Sequence, residues 1–313
     1  MARLADVIAK YYYDNFDSLP GDKQFHFVSR LGSWARDSRA VDRLDQLRSR
    51  MIPENPEVFF KDLIDNPPKA KINAAERRAP YFAKYPSLRG RMLALFRVRH
   101  LLYHYDVDTR EDLLKLISID ELYKLSDKLM SDTKALMILS TYAINYIYLV
   151  EVILFPRGKD MNEFLDRVLA EATHYGKNPD DTLLMIYLFT HCIIGQSNFY
   201  QNKVQTNLYP QYKVMLERIE NTISRSLNTV NLDNKFEFLV CCKLADYETI
   251  LSTIVENEAR QSKSPDGDFL IDTINDTAQS NKTSFSDSEH RNVLYIMSSS
   301  EFQPVTRSRS KLI

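Results

Sequence analysis

Glycine is the first scarcity, with 7 residues in 313. Sheets joined by tight turns and doubly wound α/β folds need more turn glycine than this, and phosphate-cradling loops are built from it. Neither GxGxxG nor GxxxxGK[ST] occurs, which argues against a standard nucleotide-binding loop. HExxH and GxSxG are missing too, so no cofactor and no metal is expected. Cysteine is almost as rare. Cys192, Cys241 and Cys242 sit in helix-like segments without CxxC spacing, which suits a reducing interior free of disulfides. Residues 1–13 lack the apolar run of a signal peptide, so the expected location is cytoplasmic. A charge surplus is lacking as well. The formal net charge is −1, so the chain carries no global footprint for nucleic acid or anionic lipid, and such a partner needs a local patch.

Apolar helix, by contrast, is abundant. Over residues 135–155 only Ser140, Thr141, Asn145 and Glu151 are strongly polar, so nearly every face is apolar. Such a helix lies in a large core or a membrane. The interior Asn145 and Glu151, and Pro156-Arg157-Gly158 directly after the stretch, favour the core. No membrane span is expected.

A pattern recurs around this stretch. Asp132-Thr133, Asp181-Thr182 and Asp233-Asn234 each precede a very apolar helix, at spacings of 49 and 52 residues. Each apolar helix comes after a more amphipathic one. An outer helix, a turn and a capped inner helix repeated every 40 to 50 residues is the signature of α-solenoids and closed α/α toroids. The expected fold is therefore all-α: stacked helical hairpins in a superhelix or toroid over residues 1–260, with a candidate subdomain boundary in the proline-punctuated stretch 52–73. Ser118 and Glu121 form a capping-box pattern before another helix. Residues 261–313 are expected to be an irregular extension. Its two apolar islands, 269–274 and 293–297, read as short strands of a hairpin or as pieces docked on the helical body. Arg307, Arg309 and Lys311 mark a frayed basic tail.

Four constellations bear on chemistry. Asp132, Asp181 and Asp233 are N-caps first, accepting orphan backbone N–H groups. In a toroid the same carboxylates would ring a central funnel, where paired acids act on a sugar or a carbocation. Polar residues inside the apolar helices, Asn145, Glu151, His191 and Cys192, with Cys241 and Cys242, form either a bonded core network or the wall of a cavity. Tyrosine is frequent, at 18 residues, and supplies apolar area with a polar tip for core, rim or binding groove.

The last constellation is Arg97-Val98-Arg99-His100-Leu101-Leu102-Tyr103-His104. His100 and His104 share a helix face, as metal ligands do, but lack a third ligand nearby. The six residues from Arg99 to His104 resemble the Arg-x4-His motif of HEPN-type helical ribonucleases. That resemblance implies a homodimer in which Arg99 and His104 activate a ribose 2′-hydroxyl and stabilise phosphate charge. The leading functional expectation is a scaffold that binds a protein or peptide on a concave helical surface. A toroid enzyme and the ribonuclease are the alternatives, and oligomeric state is left open.

Overall fold

The computed structural model describes residues 3–68, 75–175, 179–271 and 284–304. In chain order its α-helices are α1 (Leu4–Asp14), α2 (Gly21–Trp34), α3 (Ser38–Met51), α4 (Pro56–Asp65), α5 (Ala75–Lys84), α6 (Leu88–Tyr105), α7 (Arg110–Leu114) and α8 (Ile119–Ser131). They continue with α9 (Thr133–Leu139), α10 (Thr141–Tyr148), α11 (Asn162–Ala172), α12 (Pro179–Gln196), α13 (Gln211–Arg225), α14 (Leu232–Leu244), α15 (Ser252–Gln261) and α16 (Glu289–Ser299). The fold is all-helical. Among the described residues the sole β-type pairing is an isolated antiparallel bridge, Lys263 to Leu270.

The helices divide between two compact units. Unit 1 collects residues 1–45, 197–206 and 216–313; unit 2 collects 46–196 and 207–215. The core of unit 1 is α16, which packs against α1, α2 and α14. The island 293–297 is thus the middle of a helix rather than a strand, and every residue of it is buried. Five apolar residues in a row fit a buried helix as well as a strand, and burial on all sides decides for the helix. The other island is seen as far as residue 271; its remainder and the basic tail fall outside the described residues. Asn292 on α16 docks it, accepting from Leu270 N–H at 2.8 Å and donating to Leu270 C=O at 3.0 Å. One amide side chain stands in for a neighbouring strand.

Unit 2 is organised around the apolar stretch 135–155, which is not one helix. It turns through 111° between α9 and the next helical segment. The hinge is Ser140, fully buried at φ 45° and ψ −110°. The stretch then ends in a π-helical turn, Leu149–Leu154. Neither glycine nor proline marks the break, so packing imposes it: α9 lies against α5 and α11, while α10 lies against α6 and α12. Among the described residues no single helix is long and apolar enough to cross a membrane. Two glycines permit close approach. A Cβ on Gly90 would meet the Ile64 backbone oxygen at 2.5 Å, and one on Gly195 would meet the Tyr148 ring at 2.5 Å. Both inner faces depend on those hydrogens.

Candidate functional site

The helix starts show where the three repeat aspartates stand. Asp132 is the N-cap of α9, accepting from Ala135 N–H at 3.1 Å. Its other oxygen takes Lys84 Nζ at 2.5 Å and the Tyr85 hydroxyl at 2.8 Å. Burial pushes this carboxyl up, yet the Lys84 ammonium and the Ala135 amide hold it below the usual carboxylate range. Asp181 is the third residue of α12, two past Pro179, and is ion-paired to Arg77. Asp233 is the second residue of α14; the cap there is Asn231, which accepts from Asn234 N–H at 3.0 Å. Asp132 and Asp181 belong to unit 2 and Asp233 to unit 1. Each has its own cationic partner.

Asp132 lines a hollow of about 870 Å³ on unit 2. One wall is α8, where the apolar stripe Leu122, Leu125 and Leu129 is buried and turns Lys124 and Lys128 outward. Facing them are Lys84 and Tyr85, from the end of α5 and the turn before α6. Asp127 completes the lining and is bonded by Arg157 Nη2 at 2.5 Å and by Lys159 Nζ. Arg157 also reaches the fully buried Glu151 of the π turn, with Nε and Nη2 at 2.8 and 2.7 Å. Both carboxylates of the hollow are therefore neutralised, while Lys124 and Lys128 stand exposed with no acidic partner among the described residues. The hollow has surplus positive charge. Lysines four apart on an amphipathic helix were the available sequence signal, and they look like any solvated face.

A second polar cluster lies within unit 1. Lys23, His26 and Arg30 share one face of α2 and meet the first turn of α16. His26 Nδ1 lies 2.7 and 2.9 Å from the two oxygens of Glu289, whose side chain is wholly buried. Arg30 Nε–H donates to His26 Nε2 at 2.6 Å, so the imidazole is neutral with its proton on Nδ1. Burial first, and then the Arg30 charge, keep its pKa well below the ordinary histidine value. Burial likewise pushes the Glu289 carboxyl up to about 7, against the pull of His290 and Lys23. The His26 ring stacks on His290 at 5.3 Å. His290 and Arg291 in turn bond Asp233 at 3.3 and 2.9 Å. Although burial raises that carboxyl, these two partners drive it well below the usual range.

Arg30 is completed by Tyr200, whose hydroxyl accepts from Nη1 at 2.6 Å and whose ring lies 5.0 Å beneath the guanidinium. Tyr200 gets there through a turn in which Asn198, Phe199 and Tyr200 all have positive φ, at 52°, 50° and 71°. Left-handed backbone costs an L-residue about 1–2 kcal/mol. Ser197 Oγ, accepting from Tyr200 N–H at 2.9 Å, and Gln201, donating to Ser33 Oγ at 2.6 Å, help to pin the turn. A general base needs an open lone pair, and on His26 it is taken by Arg30. The His26 ring is therefore held in place by its two neighbours rather than poised to take up a proton.

Arg99 and His104 both lie on α6. Arg99 is only 2% exposed, with its guanidinium 5.1 Å over the Tyr103 ring. His104 is half-buried near the helix end, its ring 5.9 Å from that of His100. Asn145 and His191 are brought together, Nδ1 to Oδ1 at 2.8 Å, and Cys192 is fully buried, which pushes its thiol up. Among the described residues no group of three potential ligands is placed to hold a metal ion. No family model, curated protein or solved structure matches the chain.

Proposed function

We propose that the chain is a binding protein and that the hollow on unit 2 takes an acidic segment of a protein or peptide partner. The observation that carries this is the pair Lys124 and Lys128, one helical turn apart and exposed, beside carboxylates that are already neutralised. An incoming Glu- or Asp-rich segment meets lysine charge and no unpaired acid, which favours encounter and fixes register. In the finer architecture of this reading, α8 folding back on α9 and α10, and α10 packed on α12, are hairpins of an α/α superhelix. The hollow then opens at the mouth of the first hairpin, as concave surfaces do in solenoids. A toroid enzyme using Asp132, Asp181 and Asp233 has less support. Asp132 and Asp233 are held ionised by their partners, and acid–base work at neutral pH needs a carboxyl tuned upward.

The test is fluorescence anisotropy with a labelled Glu-rich peptide at low and moderate salt. Binding should weaken with salt and fall by roughly tenfold or more in the Lys124→Glu/Lys128→Glu variant. Equal binding by wild type and that variant, with circular dichroism unchanged, would rule the hollow out.

A further inference from the structure

In unit 1, residues 300–304 run across the ends of α2 and α14 after α16 has stopped. The helix closes at Ser299, and Ser300 is already extended, at φ −111° and ψ 163°. Lys243 Nζ donates to the Ser300 carbonyl at 2.7 Å. The Phe302 ring lies 4.8 Å from that of Trp34, tilted by 51°, and 5.6 Å from the Lys203 ammonium. Gln303 N–H donates to the Trp34 carbonyl at 2.8 Å, taking up an orphan acceptor at the end of α2. Just beyond that end, Arg36 Nη2 donates to the Pro304 carbonyl at 2.8 Å.

The surface beneath is firmly built. Trp34 is fully buried, and Phe302 is part of its cover. Lys203 Nζ is held by the Lys243 carbonyl at 2.6 Å and by Asp246, and Val204 N–H bonds the Leu244 carbonyl at 2.8 Å, so this wall is fixed to the end of α14. Burial pulls the Lys243 pKa below the ordinary lysine value; the Glu301 carboxylate pushes back, and the Lys203 charge adds to the fall. An acidic residue and an aromatic one thus lie across an aromatic floor set between cations.

The segment on top is held more lightly. Glu301, Gln303 and Pro304 are exposed and Phe302 is half-buried, and the hydrogen bonds to Lys243, Trp34 and Arg36 all run through the segment's backbone. Leu270 in the same unit is treated otherwise: it is wholly buried, and Asn292 bonds both its N–H and its C=O. Backbone contacts are open to any extended chain, so selectivity falls to the ring on Trp34 and the acid beside Lys243.

We propose that Trp34, Arg36, Lys203 and Lys243 form a docking groove for an extended segment of a partner protein, one with an acidic residue followed directly by an aromatic one, and that residues 300–304 are its resident plug. The partner's ring replaces Phe302 on Trp34 and its acid lies by Lys243. Because the plug follows α16 directly, it competes at an effective concentration on the order of 1 mM. The groove therefore opens to a partner that outbids the plug. It belongs to unit 1 and owes nothing to the lysines of the unit 2 hollow.

Trp34 is the single tryptophan of the chain, so its fluorescence reports on the groove. The experiment pairs acrylamide quenching of the full chain with the anisotropy of a labelled peptide, Ser-Ser-Glu-Phe-Gln-Pro-Val, the sequence of residues 299–305. In Phe302→Ala, Trp34 should be quenched more than in wild type and shielded again by the peptide. The peptide should bind that variant roughly tenfold or more tightly than it binds wild type. Asp-Tyr in place of Glu-Phe in the peptide should keep the affinity within roughly threefold, whereas Glu-Ala should lose it. Phe302→Ala/Lys243→Glu should lose binding too, and Lys124→Glu/Lys128→Glu should change nothing. If Phe302→Ala melts early by circular dichroism, Glu301→Lys is the loosened chain and carries the same expectation for peptide affinity. Three results overturn the proposal: no binding by the loosened chain, equal binding by wild type and the loosened chain, or binding of the Glu-Phe peptide with none of the Asp-Tyr peptide, which would make residues 300–304 a fixed part of the fold. A wild-type dimer that Phe302→Ala converts to monomer overturns it also, in favour of segment exchange between two copies of the chain.

Discussion

Arg30 closes the one lone pair on the His26 ring: its Nε–H donates to Nε2 at 2.6 Å. The imidazole proton must then sit on Nδ1, facing Glu289 at 2.7 and 2.9 Å. The histidine and the carboxyl titrate in opposite senses, and stability should show it.

Glu289 has a pKa raised to about 7, against an ordinary 4.5. A raised carboxyl favours the folded state while protonated, so its contribution is complete below about pH 4.5 and is lost as pH climbs towards 7. His26, with a lowered pKa, acts oppositely, destabilising the fold as pH drops below about 6.5. Glu289→Gln removes the first effect alone. Urea unfolding at pH 5, 6 and 7.5 should find the variant gaining on wild type by about 1–3 kcal/mol as pH rises. Parallel pH curves for the two proteins would mean that Glu289 is ionised throughout.

Asn231 and Asp233 sit two residues apart with different duties. Asn231→Ala loses a cap and should cost about 1 kcal/mol. Asp233→Ala leaves the Arg291 guanidinium, on a side chain only 2% exposed, without this carboxylate, and should cost about 3 kcal/mol or more. Thermal melts of both variants decide the order. A reversed order would make Asp233 the working cap.

Glu151 is fully buried and receives two hydrogen bonds from Arg157. Arg157→Met keeps the stem and strands the carboxylate, so a loss of about 3–5 kcal/mol is expected. Glu151→Gln in the same chain should recover part of that loss. No recovery in denaturant unfolding of the double variant would show that Arg157 acts mainly through packing.

At Ser140 the positive φ is strain that glycine does not feel. Its hydroxyl gives back little, a 3.4 Å contact with the Leu184 carbonyl. Ser140→Gly should raise stability by about 0.5–1 kcal/mol, whereas Ser140→Ala should not. Gly90→Ala runs the other way, at about 1–3 kcal/mol, because its neighbour is backbone that cannot step aside. Differential scanning calorimetry of the three variants tests both expectations.

Several of these features are readable from residues alone. The scarcity of glycine points to an all-helical chain, and the Ser118–Glu121 capping box and the Asp132 cap are local signals that the structure keeps. The α12 start lies two residues before the Asp181 signal: Pro179 at the first helical position is a start signal in its own right, and it outranks the aspartate after it. The kink at Ser140 has no local cause, since it answers to helices packed on either side. The Glu289–His26 contact joins positions 263 apart, and nothing near either residue announces the other. Lys124 and Lys128 are visible as charges, but only the facing turn at Lys84 makes a hollow of them.

The order in which the ribosome makes the chain matters to unit 1. That unit owns residues 1–45 and everything from 216 onward, and its central helix, α16, comes last of all the described helices. During synthesis the sides of α1 and α2 that α16 will cover stand open while the whole of unit 2 is produced, although Tyr12 and Tyr13 already meet Phe27 across the pair. The two helices meet α16 only once it has left the ribosome. Nascent chains stalled before residue 289 should therefore be protease-sensitive at α2 while α6 to α12 are already protected, and the last of the described helices is the latch that ends that vulnerability.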